Sequence, residues 1–130
     1  FILSLFFSLQ ISHFLSSFSP ADVCGLASRY CRTNLGTDFL MLLGDVALGK
    51  TADLARDTYM ERPQPGTHST KALGTIEPDP KDRKVLQPGD VVVPSGALVD
   101  SGCKNVSCLE NQFIVYDVSQ VELKYLVHFV

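Results

Sequence analysis

The C-terminal residues 111–130, with the sequence NQFIVYDVSQVELKYLVHFV, constrain the fold of this chain more than any other stretch. Two runs rich in β-branched and aromatic residues, 113–116 and 121–130, are separated by a polar stretch. Such runs are typical of a half-buried pleated surface, so they predict two strands, near 112–117 and 121–129. In the second strand the two-residue period places four side chains on one face, which we expect to face the core: Leu123, Tyr125, Val127 and Phe129.

Three further elements are predicted upstream of these strands. Residues 38–48 form a nearly uncharged apolar run, which is typical of a strand buried on both faces. The three valines at 91–93, followed by a proline, predict a short strand. At 22–32 apolar residues recur at helical spacing after Asp22, whose residue type caps helices, so we expect a helix there. This pattern predicts an α+β fold with a mainly antiparallel sheet.

Composition and charge exclude several classes of function. A chain of 130 residues with 45% hydrophobic and 19% charged residues is expected to form one small globular domain, or part of one. Its net charge of −3 provides no basic surface for phosphates, so direct nucleic-acid binding is not expected. No metal site is predicted, because the histidines are scattered and the cysteines lack paired CxxC spacing: Cys24, Cys31, Cys103 and Cys108.

The first twenty residues contain no charged side chain and are rich in Phe, Leu, Ile and Ser. A signal sequence or a membrane helix, which needs about 20 mostly apolar residues, is one interpretation of this segment. Gln10, His13 and the interspersed serines argue against it. We instead expect residues 1–20 to have no native partner in the fold and to be a loosely attached helix or an irregular segment. An apolar segment of this kind is expected either to pack poorly or to cover an exposed sheet edge.

Several motifs occur in a fixed order along the chain: FLMLLGDVALGK, PGTHSTKALG, EPDP, VVVPSG and NQFIVYDVSQVELKYLV. In this order they resemble the C-terminal half of the catalytic domain of poly(ADP-ribose) polymerases, over about residues 21–129. The resemblance refines the fold class to the ADP-ribosyltransferase split β-sandwich, incomplete at its N-terminus. It divides the chain into an apolar segment 1–20, unrelated to the family, and a partial catalytic domain at 21–130.

The resemblance implies an NAD-dependent protein ADP-ribosyltransferase of the glycosyltransferase class, with NAD as substrate, release of nicotinamide and no metal. It further implies protein acceptors, a monomeric state, a nuclear location and a part in the DNA damage response. A signal or membrane role of residues 1–20 ranks last. Transfer breaks a glycosidic bond through an oxocarbenium-like transition state, and a carboxylate is the natural group to stabilise it.

The family site resembles a His-Tyr-Glu triad, and this chain departs from it at each position. No histidine stands in the motif of the family histidine: His13, His68 and His128 all lie elsewhere. The triad tyrosine falls on Ser19, and the catalytic glutamate falls on Gln112 within ENQFIVY. An amide can still bond a ribose hydroxyl, but it brings no charge to stabilise a cation. Glu110 could replace it only through a register slip, which would turn the strand inside out.

Other ligand contacts are implied by the same resemblance. Tyr30 matches a family tyrosine that stacks on nicotinamide, as an electron-rich ring suits a cationic pyridinium. Ala27 aligns with a family serine that bonds the carboxamide, and the neighbouring Ser28 could compensate. His68 lies in a segment that resembles a loop on the acceptor side, although an exposed loop histidine without a function is the simpler interpretation. We therefore expect a truncated transferase that is inactive by itself. The alternative is a catalytically degenerate binding or scaffold module of the same fold.

Overall fold

The computed structural model describes residues 2–7, 16–18, 39–56 and 58–129. Most of these residues lie in short strands joined by turns. The strands within the described residues are β1 (Ile2–Phe7), β2 (Ser16–Phe18), β3 (Phe39–Ala47), β4 (Thr51–Leu54), β5 (Ser69–Ala72), β6 (Gly74–Pro78), β7 (Lys84–Leu86), β8 (Val91–Val93), β9 (Leu98–Asp100), β10 (Cys108–Glu110), β11 (Gln112–Val115) and β12 (Val121–Phe129). A short 3₁₀ helix, Val118–Gln120, joins β11 to β12. The helix predicted at 22–32 lies outside the described residues.

The described strands form three sheets. A five-stranded sheet has the order β12-β3-β1-β8-β7, a four-stranded sheet has the order β2-β11-β5-β4, and a three-stranded sheet has the order β10-β6-β9. Most neighbours are antiparallel, and the parallel pairs are β1 with β8, β4 with β5, and β6 with β10. The prediction of a mainly antiparallel β fold is confirmed.

The core lies between the five-stranded and the four-stranded sheets. Val46 and Leu48 contribute from the first sheet and the residues that follow β3, while Phe113 and Val115 contribute from β11. Leu42, Val92 and Val121 pack against this cluster and are partly buried. Because alternate side chains of a strand face opposite ways, the core contacts of Phe113 and Val115 direct Gln112 and Ile114 to the other face of the sheet. This places the face of Gln112 away from the core.

The predicted strands are confirmed at β3, β8, β11 and β12, with shifts of one or two residues at their ends. The prediction that β3 is buried on both faces is wrong at its C-terminal end. Val46 is fully buried there, whereas the neighbouring Ala47 is exposed. The reason is that β3 lies in a sheet with one face on the core, while the other face carries Asp45 beside a lysine of β12.

The predicted core face of β12 is also wrong, because the strand contains a bulge. Leu123 pairs with Gly44 and Tyr125 pairs with Leu43, so Lys124 is an extra residue that shifts the alternation. Leu123 and Tyr125 therefore lie on opposite faces, and both are exposed, at 58% and 67%. Since β12 is an edge strand among the described strands, its side chains receive fewer neighbours than those of β3.

The bulged lysine bridges two acids on neighbouring strands. Asp45 and Glu122 are direct partners across β3 and β12, where like charges repel. The Lys124 Nζ atom lies 2.9 Å from Glu122 Oε2 and 3.7 Å from Asp45 Oδ2. The hydrogen bond to Glu122, together with the attraction of both carboxylates, raises the pKa of Lys124. The bulge thus offsets a repulsion that the strand register creates.

The first residues of the chain are not irregular throughout. β1 lies between β3 and β8, pairing with β3 from Ile2 opposite Ala47 to Phe7 opposite Leu42. β2 pairs with β11. The expectation of a loose helix or irregular segment is therefore wrong for 2–7 and 16–18. An uncharged run rich in Phe, Leu and Ile suits a strand, and pairing satisfies backbone groups of β3 that would otherwise form an open edge. That residues 1–20 are unrelated to the family stays a prediction.

Candidate functional site

Gln112 is the first residue of β11, opposite Ala72 of β5. It is half-buried and shares its sheet face with Ile114 and Tyr116. The far end of this face is fixed by a hydrogen bond of 2.7 Å between the Tyr116 hydroxyl and Oγ1 of Thr70. The strand therefore presents the Gln112 amide beside a rigid, partly polar surface.

Asn111, immediately before Gln112, is the most heavily buried amide side chain of the described residues, at 4% exposure. Its Oδ1 atom accepts a hydrogen bond of 2.9 Å from the Gly74 backbone N–H. Its Nδ2 atom donates a hydrogen bond of 2.8 Å to Oε2 of Glu77. Burial of an amide is tolerated because both of its ends find partners. Asn111 thus ties the start of β11 to β6.

Gly74 allows the two chain segments to approach this closely. A Cβ atom placed on Gly74 would lie 2.2 Å from the carbonyl carbon of Glu110 and 2.5 Å from the Asn111 nitrogen. Both are backbone atoms, so neither can rotate away. A glycine is therefore required where β6 crosses the peptide that precedes Gln112.

Glu110 lies in a different sheet from Gln112, since β10 pairs with β6 and places Glu110 opposite Ile76. In β11 the residue opposite Ala72 is Gln112. The register slip that would bring Glu110 to the position of Gln112 is not the register of the structure. The amide, rather than the nearby carboxylate, begins the strand.

His68 has a structural role in the loop before β5. Its Nδ1 atom accepts a hydrogen bond of 3.1 Å from the Lys50 backbone N–H, and its own backbone N–H donates to the Lys50 carbonyl at 2.8 Å. Gly49, with φ of +59°, lies against the ring, and a Cβ there would come within 2.7 Å of His68 Nδ1. The imidazole therefore fixes the β3–β4 turn. A place of His68 on the acceptor side stays a prediction.

The hairpin after β11 is closed by polar side chains. Oδ1 of Asp117 accepts hydrogen bonds from the Ser119 N–H, at 2.8 Å, and from the Ser119 hydroxyl, at 2.7 Å. These bonds lower the pKa of Asp117. The Gln120 amide donates to the carbonyls of Ala47 and His68, which ties the hairpin to the turn described above.

A cavity of about 390 Å³ opens on the core face of β11, on the opposite side of the sheet from Gln112. Lys71, Glu77, Asn111 and Phe113 line it. The Lys71 ammonium lies 4.0 Å from Oε2 of Glu77, so the carboxylate that holds Asn111 also faces a cation. Neither Asn111 nor Glu77 is predicted as a site residue from the sequence. They lie 34 positions apart, and only the register of the sheets brings them together.

The remaining predicted ligand contacts, at Ser19, Ala27, Ser28 and Tyr30, lie outside the described residues. Among the residues that are described, no group of three or more His, Cys, Asp or Glu side chains is placed to hold a metal ion. No helix in the same part of the chain is long and apolar enough to cross a membrane.

Comparison with known proteins identifies the family. Residues 18–130 match the family model of the poly(ADP-ribose) polymerase catalytic domain. The chain belongs to this family. It is 40% identical over 108 residues to poly(ADP-ribose) polymerase 1 of Arabidopsis thaliana, which covers 82% of this chain and 11% of the relative. It is 39% identical over 108 residues to poly(ADP-ribose) polymerase 1 of Danio rerio, covering 82% of this chain and 10% of the relative.

A third relative gives the same result. Poly(ADP-ribose) polymerase 2 of Arabidopsis thaliana is 37% identical over 109 residues, which are 82% of this chain and 17% of the relative. The chain therefore spans less than a fifth of the length of these poly(ADP-ribose) polymerases. The recognition of the family from its ordered motifs is confirmed, and the family supports an ADP-ribosyltransferase-like function.

Proposed function

We propose that this chain has the substrate class of an NAD-dependent protein ADP-ribosyltransferase and that, by itself, it binds the nucleotide without transferring ADP-ribose. The observation that carries the proposal is Gln112, which begins β11 where the family motif has its catalytic glutamate. Membership of the poly(ADP-ribose) polymerase catalytic-domain family supports NAD as the substrate. The face of β11 that carries Gln112 points away from the core and is the surface proposed to meet the ligand.

The chemical reason for inactivity is the charge of the missing carboxylate. Departure of nicotinamide leaves positive charge on the ribose, and an anionic side chain at this place would stabilise it. The Gln112 amide can hydrogen-bond a ribose hydroxyl in the same geometry, but it carries no charge and cannot accept the proton of an acceptor. Loss of one preorganised electrostatic group lowers a rate by about 10² to 10³. The absent histidine motif and Ser19 would reduce nucleotide binding further.

Protein acceptors and a nuclear location belong to the same proposal, and they rest on the family alone. The second candidate is a catalytically degenerate binding or scaffold module, which Gln112 itself favours because an amide preserves recognition without chemistry. The two candidates differ in what a restored carboxylate does. A transferase damaged at one position would regain activity, whereas a degenerate module would not.

The test compares the wild-type chain with Gln112→Glu. Each is incubated with labelled NAD, and each is titrated calorimetrically with NAD and with a nicotinamide analogue. We expect no labelled product from either protein, since the carboxylate alone does not replace the missing histidine and tyrosine. Binding of the analogue that is lost in Tyr30→Ala would support the pocket. Strong labelling by the wild-type chain would show that the inactivity argument is wrong.

A further inference from the structure

The chain changes sheets at the residue that precedes Gln112. β10 ends at Glu110 in the three-stranded sheet, and β11 begins at Gln112 in the four-stranded sheet, so Asn111 is the single residue between them. A neighbouring segment makes the same change, because β5 ends at Ala72 and β6 begins at Gly74. The two crossings lie side by side. The backbone at Asn111 therefore decides where β11 starts and which way its first side chain points.

The Asn111 side chain holds this crossing from within the protein. One end of its amide accepts from Gly74 N–H at 2.9 Å, and the other end donates to the Glu77 carboxylate at 2.8 Å. A bond to an ionised acceptor is stronger and more directional than a neutral one. Glu77 is in turn held on the strand β6 and lies 4.0 Å from the Lys71 ammonium. The asparagine is thereby fixed at both ends.

These two residues lie on the side of the sheet away from the Gln112 side chain. Both line the cavity on the core face, together with Phe113, whereas Gln112 alternates to the other face. They are not placed to touch a ligand bound beside Gln112. Any effect on that ligand must pass through the Asn111 backbone into the first residue of β11.

We propose that Asn111 and Glu77 are positioning residues that set the direction of the Gln112 side chain toward the nucleotide. As a step in recognition this rests on the proposed function, while the setting of Gln112 itself does not. Glu77 is the member that makes the idea testable, because its side chain is 27% exposed and its replacement leaves the buried core unchanged. Geometry at a reacting centre is steep in its effect, since a displacement of about 1 Å can cost about 10²-fold in rate.

The experiment uses the full chain labelled with ¹⁵N, and three variants. Glu77→Ala removes the acceptor of the Asn111 amide, and Glu77→Gln restores an acceptor oxygen without the charge. Thr75→Val is the matched control on β6, because it removes a different bond between β6 and the β10 segment, from Thr75 Oγ1 to the Leu109 carbonyl at 3.1 Å. Two quantities are measured: the side-chain amide resonances of Gln112 without ligand, and the dissociation constant of NAD.

We expect Glu77→Ala to shift the Gln112 amide resonances and to raise the dissociation constant of NAD about 10-fold, within the range that small displacements produce. Glu77→Gln should return both quantities toward wild type, and Thr75→Val should leave both unchanged. The idea is overturned if the Gln112 resonances stay in place in Glu77→Ala, if Thr75→Val shifts them equally, or if Glu77→Gln restores nothing. A wild-type chain that binds no NAD would contradict the proposed function, while the resonances of the unliganded variants would still decide the positioning role.

Discussion

Replacement of Gly74 by alanine tests how closely β6 must approach the peptide before Gln112. The added Cβ would lie 2.2 Å from a backbone carbon of Glu110 and 2.5 Å from the Asn111 nitrogen, well inside contact distance. The backbone must therefore move, which strains the Gly74–Asn111 hydrogen bond of 2.9 Å as well. Overpacking of this kind costs about 1 to 3 kcal/mol and occasionally more. We expect about 3 kcal/mol for Gly74→Ala, because no flexible side chain can absorb the clash.

Gly66→Ala is the matched control. Gly66 has φ of +79°, and no atom lies within 4 Å of the place that an alanine Cβ would occupy, so this variant reports backbone strain without a clash. A left-handed conformation costs a residue with a Cβ atom about 1 to 2 kcal/mol. The free energies of unfolding are measured by urea denaturation followed by circular dichroism, at constant protein concentration. If Gly74→Ala is no more destabilising than Gly66→Ala, the close crossing of β6 and the Asn111 peptide is refuted.

Three further predictions concern the core, the bulge and the hairpin. Leu48→Ala, at a fully buried residue, should lower the free energy of unfolding by about 2 to 5 kcal/mol, whereas Leu123→Ala, at 58% exposure, should change it by less than about 0.5 kcal/mol; similar losses in urea denaturation would contradict the assigned core. The pKa of Lys124 is raised above 10.5 by Glu122, so its stabilising effect is present below pH 10.5 and is lost as the pH rises through the folded pKa; the urea midpoint of wild type should fall toward that of Lys124→Met there, and parallel curves would count against the ion pair. The pKa of Asp117 is lowered below 3.8, so its contribution is present above pH 3.8 and is lost as the pH falls through the folded pKa; Asp117→Asn should remove this acid-dependent loss of stability, and an unchanged acid profile would show that the hairpin cap does not contribute.

The strands were predictable because their apolar runs are local. Residues 91–93 and 121–129 form β8 and β12 as expected, since β-branched and aromatic runs bounded by turn residues leave few alternatives. The orientation of β12 was not predictable, because the bulge at Lys124 depends on its pairing with β3. Strict alternation puts Leu123 and Tyr125 on one face, and a single extra residue separates them.

The candidate site divides in the same way. Gln112 is identified by a local motif, and β11 begins at that residue. The asparagine before it resembles an ordinary strand-end residue, since nothing nearby in the sequence indicates that its amide is buried. Glu77 belongs to a short acidic segment, EPDP, that by itself indicates only a turn. Its contact with Asn111 requires β6 and β10 to pair in parallel, which is a non-local property of the sheets.

The sequence by itself determined the strand positions, the family and the identity of the amide at 112, because each depends on residue type and on short spacing. Tertiary structure alone decided that the apolar run at 2–7 is a strand between β3 and β8, since that pairing joins residues that are far apart in the chain, such as Ile2 with Ala47 and with Val91. It also decided that Asn111 is held by Gly74 and Glu77. A hydrogen bond between distant residues exists only after the chain has folded, and the sequence carries no local pattern that specifies it.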